Sequence, residues 1–219
     1  MDELGEFPSD VLEVLRQPLE EGQVLVCRAK ASVTFPARVL LVAAMNPCPC
    51  GRERGPGSCR CRDAARARYA AKLSGPLLDR FDLRIHVDRP DVAELMGDQS
   101  SEPWSDEPSW LVAARVAAAR DCANERGYPS NAAIPGSRLA ELVPLAPDAA
   151  SLLETRLRQG QLSARGFHRV RRVARTLADL AGWPGPVRAE DVRGALALRV
   201  PLYGDQSGDW PVGIGLGAP

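Results

Sequence analysis

Residues Val39 to Met45 read Val-Leu-Leu-Val-Ala-Ala-Met, apolar at every position, and the run stops at Asn46-Pro47. A run apolar on both faces fits a central parallel strand covered by helices, whereas a half-exposed strand alternates. Such a strand ends at the sheet's carboxyl edge, where open α/β sheets bind their ligands. Asn46 is therefore delivered to a ligand-facing edge, or else it caps the turn before Pro47.

The flanking pattern supports an α/β unit. Ser9 to Glu21 has helical spacing in Val11, Leu12, Val14, Leu15 and Leu19, with Ser9 as the N-cap and Gly22 as the stop. Residues 23–28 and 32–35 predict two short strands joined as a hairpin with a basic tip at Arg28 and Lys30. A helix is predicted from about Asp63 to Leu73, a strand over Leu83 to Val87 and a short helix over Asp91 to Met96. Residues 97–108 are polar, acidic and Pro-containing, the composition of a linker. Beyond them the pattern is helical: Leu111 to Arg126, Ser137 to Leu142, Asp148 to Gln159, Ser163 to Ala181 and Arg188 to Arg199. Residues 204–219 are Gly- and Pro-rich and are predicted to be disordered.

Hydrophobic residues make up 45% of the 219, enough to bury a core, and no apolar run is long enough to cross a membrane as a helix. The N-terminus lacks the basic-then-apolar layout of a signal peptide, so a cytoplasmic location is expected. The formal net charge of zero hides local segregation. Residues 52–72 and 156–175 are strongly basic, while 91–109 contain acids and no base. Segregated charge marks surfaces that meet an anion or a neighbouring subunit, or simply solvated helix faces.

Three further patterns carry chemistry. Asp2-Glu3 is an acid pair of the kind that ends a buried strand in P-loop ATPases. There the first carboxylate holds Mg²⁺ and the second polarises the attacking water; a frayed terminus is the other reading. The string Leu73 to Leu83 (LSGPLLDRFDL) places Arg80 just before a predicted strand. There it can reach a neighbouring subunit's γ-phosphate and stabilise transition-state charge, or pair locally with Asp79 or Asp82. Ser163 opens a helix with Arg165 in its first turn, where the helix dipole also favours anions.

Of six cysteines, Cys48, Cys50, Cys59 and Cys61 fall within fourteen residues. Clustered cysteines without a secretion signal favour metal over disulfides. Four thiolates hold Zn²⁺ tetrahedrally and leave no open position, so the role is structural; four reduced thiols in a loop is the alternative. Arg52, Arg54, Arg60, Arg62, Arg66 and Arg68 surround the cluster and suit phosphate contact, and little aromatic interleaving accompanies them.

Taken in order, these pieces resemble the magnesium-chelatase-like AAA+ ATPases of the competence-associated ComM (YifB) family. The resemblance is carried by Asp2-Glu3-Leu4-x-Glu6-Phe7, Val11 to Glu20, Phe35 to Arg38, Leu41 to Gly51, the Arg80 string, and Arg165 followed by Arg172 to Leu180. It covers residues 1 to about 203. It implies a partial α/β AAA+ core, a truncated parallel sheet with a β-hairpin and a Cys-rich insert over 1–96. An α-helical lid domain over 109–203 follows a linker over 97–108. It implies ATP with Mg²⁺ as cofactor, Asp2 as the magnesium ligand beside Glu3, Asn46 as first sensor, Arg80 as arginine finger and Arg165 as second sensor. It also implies a homo-hexameric ring, DNA as partner, and branch-migration helicase activity in natural transformation.

The sequence departs from the family at one point, because no G-x-x-x-x-G-K-[ST] loop occurs to cradle the phosphates. The expectation is a C-terminal portion, inactive alone and completed by an N-terminal half. A misplaced start, a split gene and a pseudogene all give such a chain. Two other readings stand beside the DNA motor: a magnesium-chelatase-type motor subunit, and a non-enzymatic zinc and helical interaction module.

Overall fold

The computed structural model describes residues 1–29, 31–46, 48–51, 59–87 and 107–199. The chain folds as two units, Met1–Phe81 and Asp82–Val200. The predicted Lys30 hairpin tip, the helix at Asp91 to Met96, most of the linker and the 204–219 tail lie outside the described residues.

The first unit begins with a 3-10 turn over Leu4–Glu6 and two short helices, α1 (Ser9–Val14) and α2 (Arg16–Glu21). The sequence predicts one helix here. Pro18 has no N–H to give to the carbonyl of Val14, and its ring crowds that carbonyl, so the helix breaks at Leu15 and restarts. Ser9 is the first helical residue and not the cap; Pro8 stands at the cap without a side-chain bond. Gly22 does end α2, at φ 66°, with its N–H on the carbonyl of Pro18.

Strands β1 (Gln23–Arg28) and β2 (Ala31–Pro36) pair antiparallel, Val26 opposite Val33. Among the described residues they are the whole sheet. The predicted central strand Val39 to Met45 is extended but sits in no sheet. Leu41, Ala43 and Met45 are half-buried while Val42, Ala44 and Asn46 are exposed, and Leu40 is 91% exposed. The apolar run is therefore covered on one face only. Among the described residues its backbone pairs with the N-terminus. The Met1 amino group donates to the Val42 carbonyl at 2.7 Å and Ala44 N–H to the Met1 carbonyl at 3.0 Å. That bracketing of Ala43 is the pattern of a parallel pair. A full ladder needs a second extended partner along the whole run, and the described residues supply none.

Helices α3 (Asp63–Ala70) and α4 (Gly75–Leu78) complete the unit. Ser74 caps α4, accepting from Leu77 N–H at 3.2 Å, and its hydroxyl donates to Glu13 at 2.5 Å. Leu4, Leu12, Leu73 and Leu77 form the buried centre, with Phe7, Ala43, Met45 and Phe81 packed around them.

The second unit is helical: α5 (Ser109–Glu125), α6 (Leu139–Leu142), α7 (Pro147–Arg158), α8 (Ala164–Leu180) and α9 (Ala189–Ala197). The predicted strand Leu83 to Val87 reduces to a single parallel bridge between Arg84 and Arg199, leaving Leu83, Ile85 and Val87 exposed. Ile134, Leu139, Val143, Leu153, Val170, Val187 and Val192 fill the core.

The basic run 156–175 works largely inside this unit. Arg171 donates to the carbonyls of Leu139, the first residue of α6, and Val143, just past its end, and Arg172 to that of Ile134. Arg175 reaches the carbonyls of Gly185 and Trp183. Guanidinium groups here donate to carbonyls of the short helices and loops, where that of Leu139 also accepts the Val143 N–H at 3.0 Å. Asp179 is the anionic centre. Its side chain is 1% exposed and accepts from Arg126, from Asn131 at 2.8 Å and from Arg175 at 3.0 Å. Burial pulls the Arg175 guanidinium below its ordinary value, and the Asp179 charge opposes that pull.

Replacing Asp179 by Ala strands Arg126 and Arg175 without their shared anion. We expect a loss of about 3–5 kcal/mol, read as a lower urea midpoint of the helical unit.

Candidate metal centre and ligand edge

The residues after Asn46 turn sharply. Gly51 N–H donates to the Cys48 carbonyl at 2.9 Å, closing a turn over Cys48 to Gly51, and Gly51 takes φ 71°, which a side chain resists. The turn brings the Cys48 and Cys50 sulfurs together despite the single residue between them. Cys59 and Cys61 arrive from the other side, two residues ahead of α3. All four Sγ atoms lie within 4.8 Å of one another, with Cys48–Cys59 at 3.1 Å, Cys50–Cys59 at 3.5 Å and Cys48–Cys50 at 3.6 Å. A tetrahedral Zn–S₄ site with bonds of about 2.3 Å sets its sulfurs roughly 3.8 Å apart. The donor set fits Zn²⁺ in type, number and spacing.

The thiols also polarise one another. Hydrogen bonds from the Cys48 thiol and the Cys61 N–H bring Cys59 down to about 7. Hydrogen bonding with Cys48 and Cys50 pushes Cys61 up to about 12, and burial raises Cys48. Packed sulfur atoms thus resist carrying several negative charges unless a cation neutralises them.

The candidate ligand edge lies along the extended segment that leads into the thiol cluster. Leu4 N–H donates to the Ala44 carbonyl at 2.8 Å, so Met1 to Leu4 run beside Val42 to Ala44. Asp2 and Glu3 are exposed there, and Glu3 N–H donates to the Asp2 carboxylate at 2.9 Å. Glu3 has φ 50°, the sole positive φ among the described non-glycine residues. A left-handed non-glycine residue costs about 1–2 kcal/mol, and such strain gathers at functional positions. Asn46 is exposed on the same face of the segment as Val42 and Ala44. The structure thus joins Asp2, Glu3, Asn46 and the thiol cluster along one stretch of backbone.

Arg80 is turned inward. Its Nε donates to the Arg16 carbonyl at 3.1 Å, one terminal nitrogen to the Pro76 carbonyl at 2.6 Å, and the other to Glu20. Its side chain is 7% exposed. Sequence reasoning offered Asp79 or Asp82 as local partners. Arg80 pairs with Glu20, sixty residues away, and Asp82 pairs with Arg169. No local signal could have revealed Glu20. Ser163 does cap α8, accepting from Gly166 N–H at 3.0 Å, and Arg165 stands exposed in the first turn.

Residues 1–95 match the family pattern of magnesium chelatase, subunit ChlI, and residues 106–199 match that of the ChlI C-terminal region. The chain belongs to the magnesium-chelatase family. Within it, the chain is similar to the competence protein ComM of Haemophilus influenzae, at 41% identity over 184 residues, 83% of this chain and 35% of that protein. It is 39% identical over 206 residues to an uncharacterized protein of Mycobacterium tuberculosis, covering 91% of this chain and 39% of that protein. It is also 39% identical over 180 residues to the uncharacterized protein YifB of Escherichia coli. The chain spans about two fifths or less of the length of these relatives.

At pH 8 the thiols of Cys48 and Cys61 still carry their protons, whereas Cys59 is mostly thiolate, since its value near 7 lies below that pH. Zinc uptake at pH 8 is expected to release at least two protons per metal, measured by titration calorimetry in buffers of different ionisation heat. As pH falls through about 7, Cys59 also protonates and zinc affinity drops further.

Proposed function

We propose that this chain is the C-terminal part of an AAA+ ATPase motor that remodels DNA, a branch-migration helicase of the ComM kind serving natural transformation. The observation that carries this reading is the pairing of Met1–Leu4 with Val42–Ala44, which sets an acid pair beside the segment that ends in Asn46. In this reading Asp2 holds Mg²⁺, which neutralises the charge on the phosphates of ATP. Glu3 takes the proton of the attacking water and Asn46 orients that water. Arg80 acts in trans on a neighbouring subunit in a homo-hexameric ring, which requires it to exchange Glu20 for phosphate. Arg165, at the N-terminus of α8, senses the nucleotide from the lid.

The chain contains no G-x-x-x-x-G-K-[ST] sequence, so turnover belongs to an assembly in which another segment supplies that loop. Residues 1–96 form the core portion and 109–203 the lid. Cys48, Cys50, Cys59 and Cys61 would hold Zn²⁺, which would tie together the two arms of the Cys insert. Arg60, Arg62 and Arg68 are exposed beside it and supply phosphate contacts. This basic, Cys-rich insert favours DNA over a chelatase partner as the thing moved. A cytoplasmic location fits that role, and no helix among the described residues is long and apolar enough to cross a membrane.

Two measurements test the reading. The chain joined to a loop-bearing N-terminal portion should hydrolyse ATP faster with DNA present, and Asp2→Asn or Glu3→Gln should abolish turnover. The isolated chain should bind duplex DNA at low salt, and Arg68→Ala should shallow the log K against log salt slope by about 0.9. DNA-independent turnover together with no DNA binding at low salt overturns the motor assignment in favour of a chelatase-type subunit.

A further inference from the structure

Helix α3 leaves the thiol cluster and returns to the acid pair. It starts two residues after Cys61, and near its end Tyr69 is buried against Gly5. A Cβ on Gly5 would lie 2.3 Å from the Tyr69 hydroxyl oxygen and 2.4 Å from Cζ, so only glycine lets the ring seat there. Just past the helix, Lys72 Nζ donates to the Gly5 carbonyl at 2.7 Å. The same ammonium is 3.9 Å from the Glu6 carboxylate and 5.6 Å from the Tyr69 ring centre. Gly5 is itself buried and follows Leu4, whose N–H is bound to Ala44. From the opposite direction, Cys48 follows Asn46 by two residues, and the Asn46 amide nitrogen is 3.9 Å from the place of a Gly51 Cβ.

The cluster therefore stands between two arms. One carries Asn46, and the other is α3, which holds the backbone immediately after Asp2-Glu3. We propose that metal binding at Cys48, Cys50, Cys59 and Cys61 positions the Asp2-Glu3 pair, with Tyr69 and Lys72 as positioning residues acting on Gly5. A metal crosslink fixes where α3 begins relative to Asn46. Lys72 and Tyr69 carry that constraint to Gly5, and Gly5 holds Leu4 on Ala44 with the strained Glu3 beside it. Without the crosslink, α3 is free to shift, and the left-handed conformation of Glu3 loses its support. The idea rests on the metal reading, although it needs no ATP turnover to be tested.

Amide exchange in the full chain, followed by mass spectrometry on peptides covering residues 1–7 and 41–46, decides it. Zinc content is measured separately on each sample. Stripping zinc should speed exchange of the Leu4 and Ala44 amides about tenfold or more, the scale expected when a charge-assisted hydrogen bond that holds them is lost. Lys72→Met should reproduce that acceleration with zinc still bound, and Lys72→Arg, which keeps a cationic donor, should largely restore protection. Amides of the β1–β2 hairpin and of α7 to α9 report that both units remain folded. Where zinc removal unfolds the first unit, the zinc-loaded Lys72→Met comparison decides. One zinc per chain with unchanged protection in zinc-loaded Lys72→Met overturns the coupling while leaving the metal site standing. A chain that takes up no zinc overturns the metal reading and the coupling with it.

Discussion

Three backbone hydrogen bonds between Met1–Leu4 and Val42–Ala44 hold the N-terminus of the first unit to its extended segment. Without them the acid pair has no fixed relation to Asn46, and Leu4 loses its place beside Leu12 and Leu77 in the small core. The apolar face of the extended segment supplies Ala43 and Met45 to that core. The other face, bearing Val42, Ala44 and Asn46, remains exposed. The same few bonds thus serve packing on one side and place the exposed candidate site residues on the other.

The two units solve their polar problems differently. The helical unit buries arginines and spends them on carbonyls and on one buried carboxylate, Asp179. Such a network specifies geometry because removing any partner leaves a desolvated charge behind. The first unit draws polar partners from distant sequence, Arg80 with Glu20 and Ser74 with Glu13. Hydrogen bonding to the charged form holds the Glu13 carboxyl below its ordinary value, first through Ser74 and then through Arg16. These long-range pairs fix α1, α2 and α4 against one another around a core of only four fully packed leucines.

Charge clustering along the sequence proved only a partial guide to surface. The arginines of residues 156–175 look like an anion-facing stripe, yet Arg171, Arg172 and Arg175 lie partly or wholly inside. Helical periodicity returns every third or fourth residue to the core face whatever its type. A long guanidinium there is tolerated when carbonyls left over at helix ends await donors.

The helices of the second unit were legible from sequence because local spacing and a cap such as Ser163 fix them: α8 follows that cap, and α5 and α7 start within two residues of expectation. The β1–β2 pairing was legible for the same reason, as a hairpin is a local event. The four cysteines suggested a candidate metal site by type and clustering, and the fold brings their sulfurs within 4.8 Å of one another. Sequence alone misjudged Val39 to Met45 and Leu83 to Val87, since a strand exists only through partners that its own residues do not encode. Nor did it reveal the Lys72 and Tyr69 clamp on Gly5 or the Glu20 partner of Arg80. Those contacts join residues sixty or more apart in sequence, and only the closed chain brings them within reach.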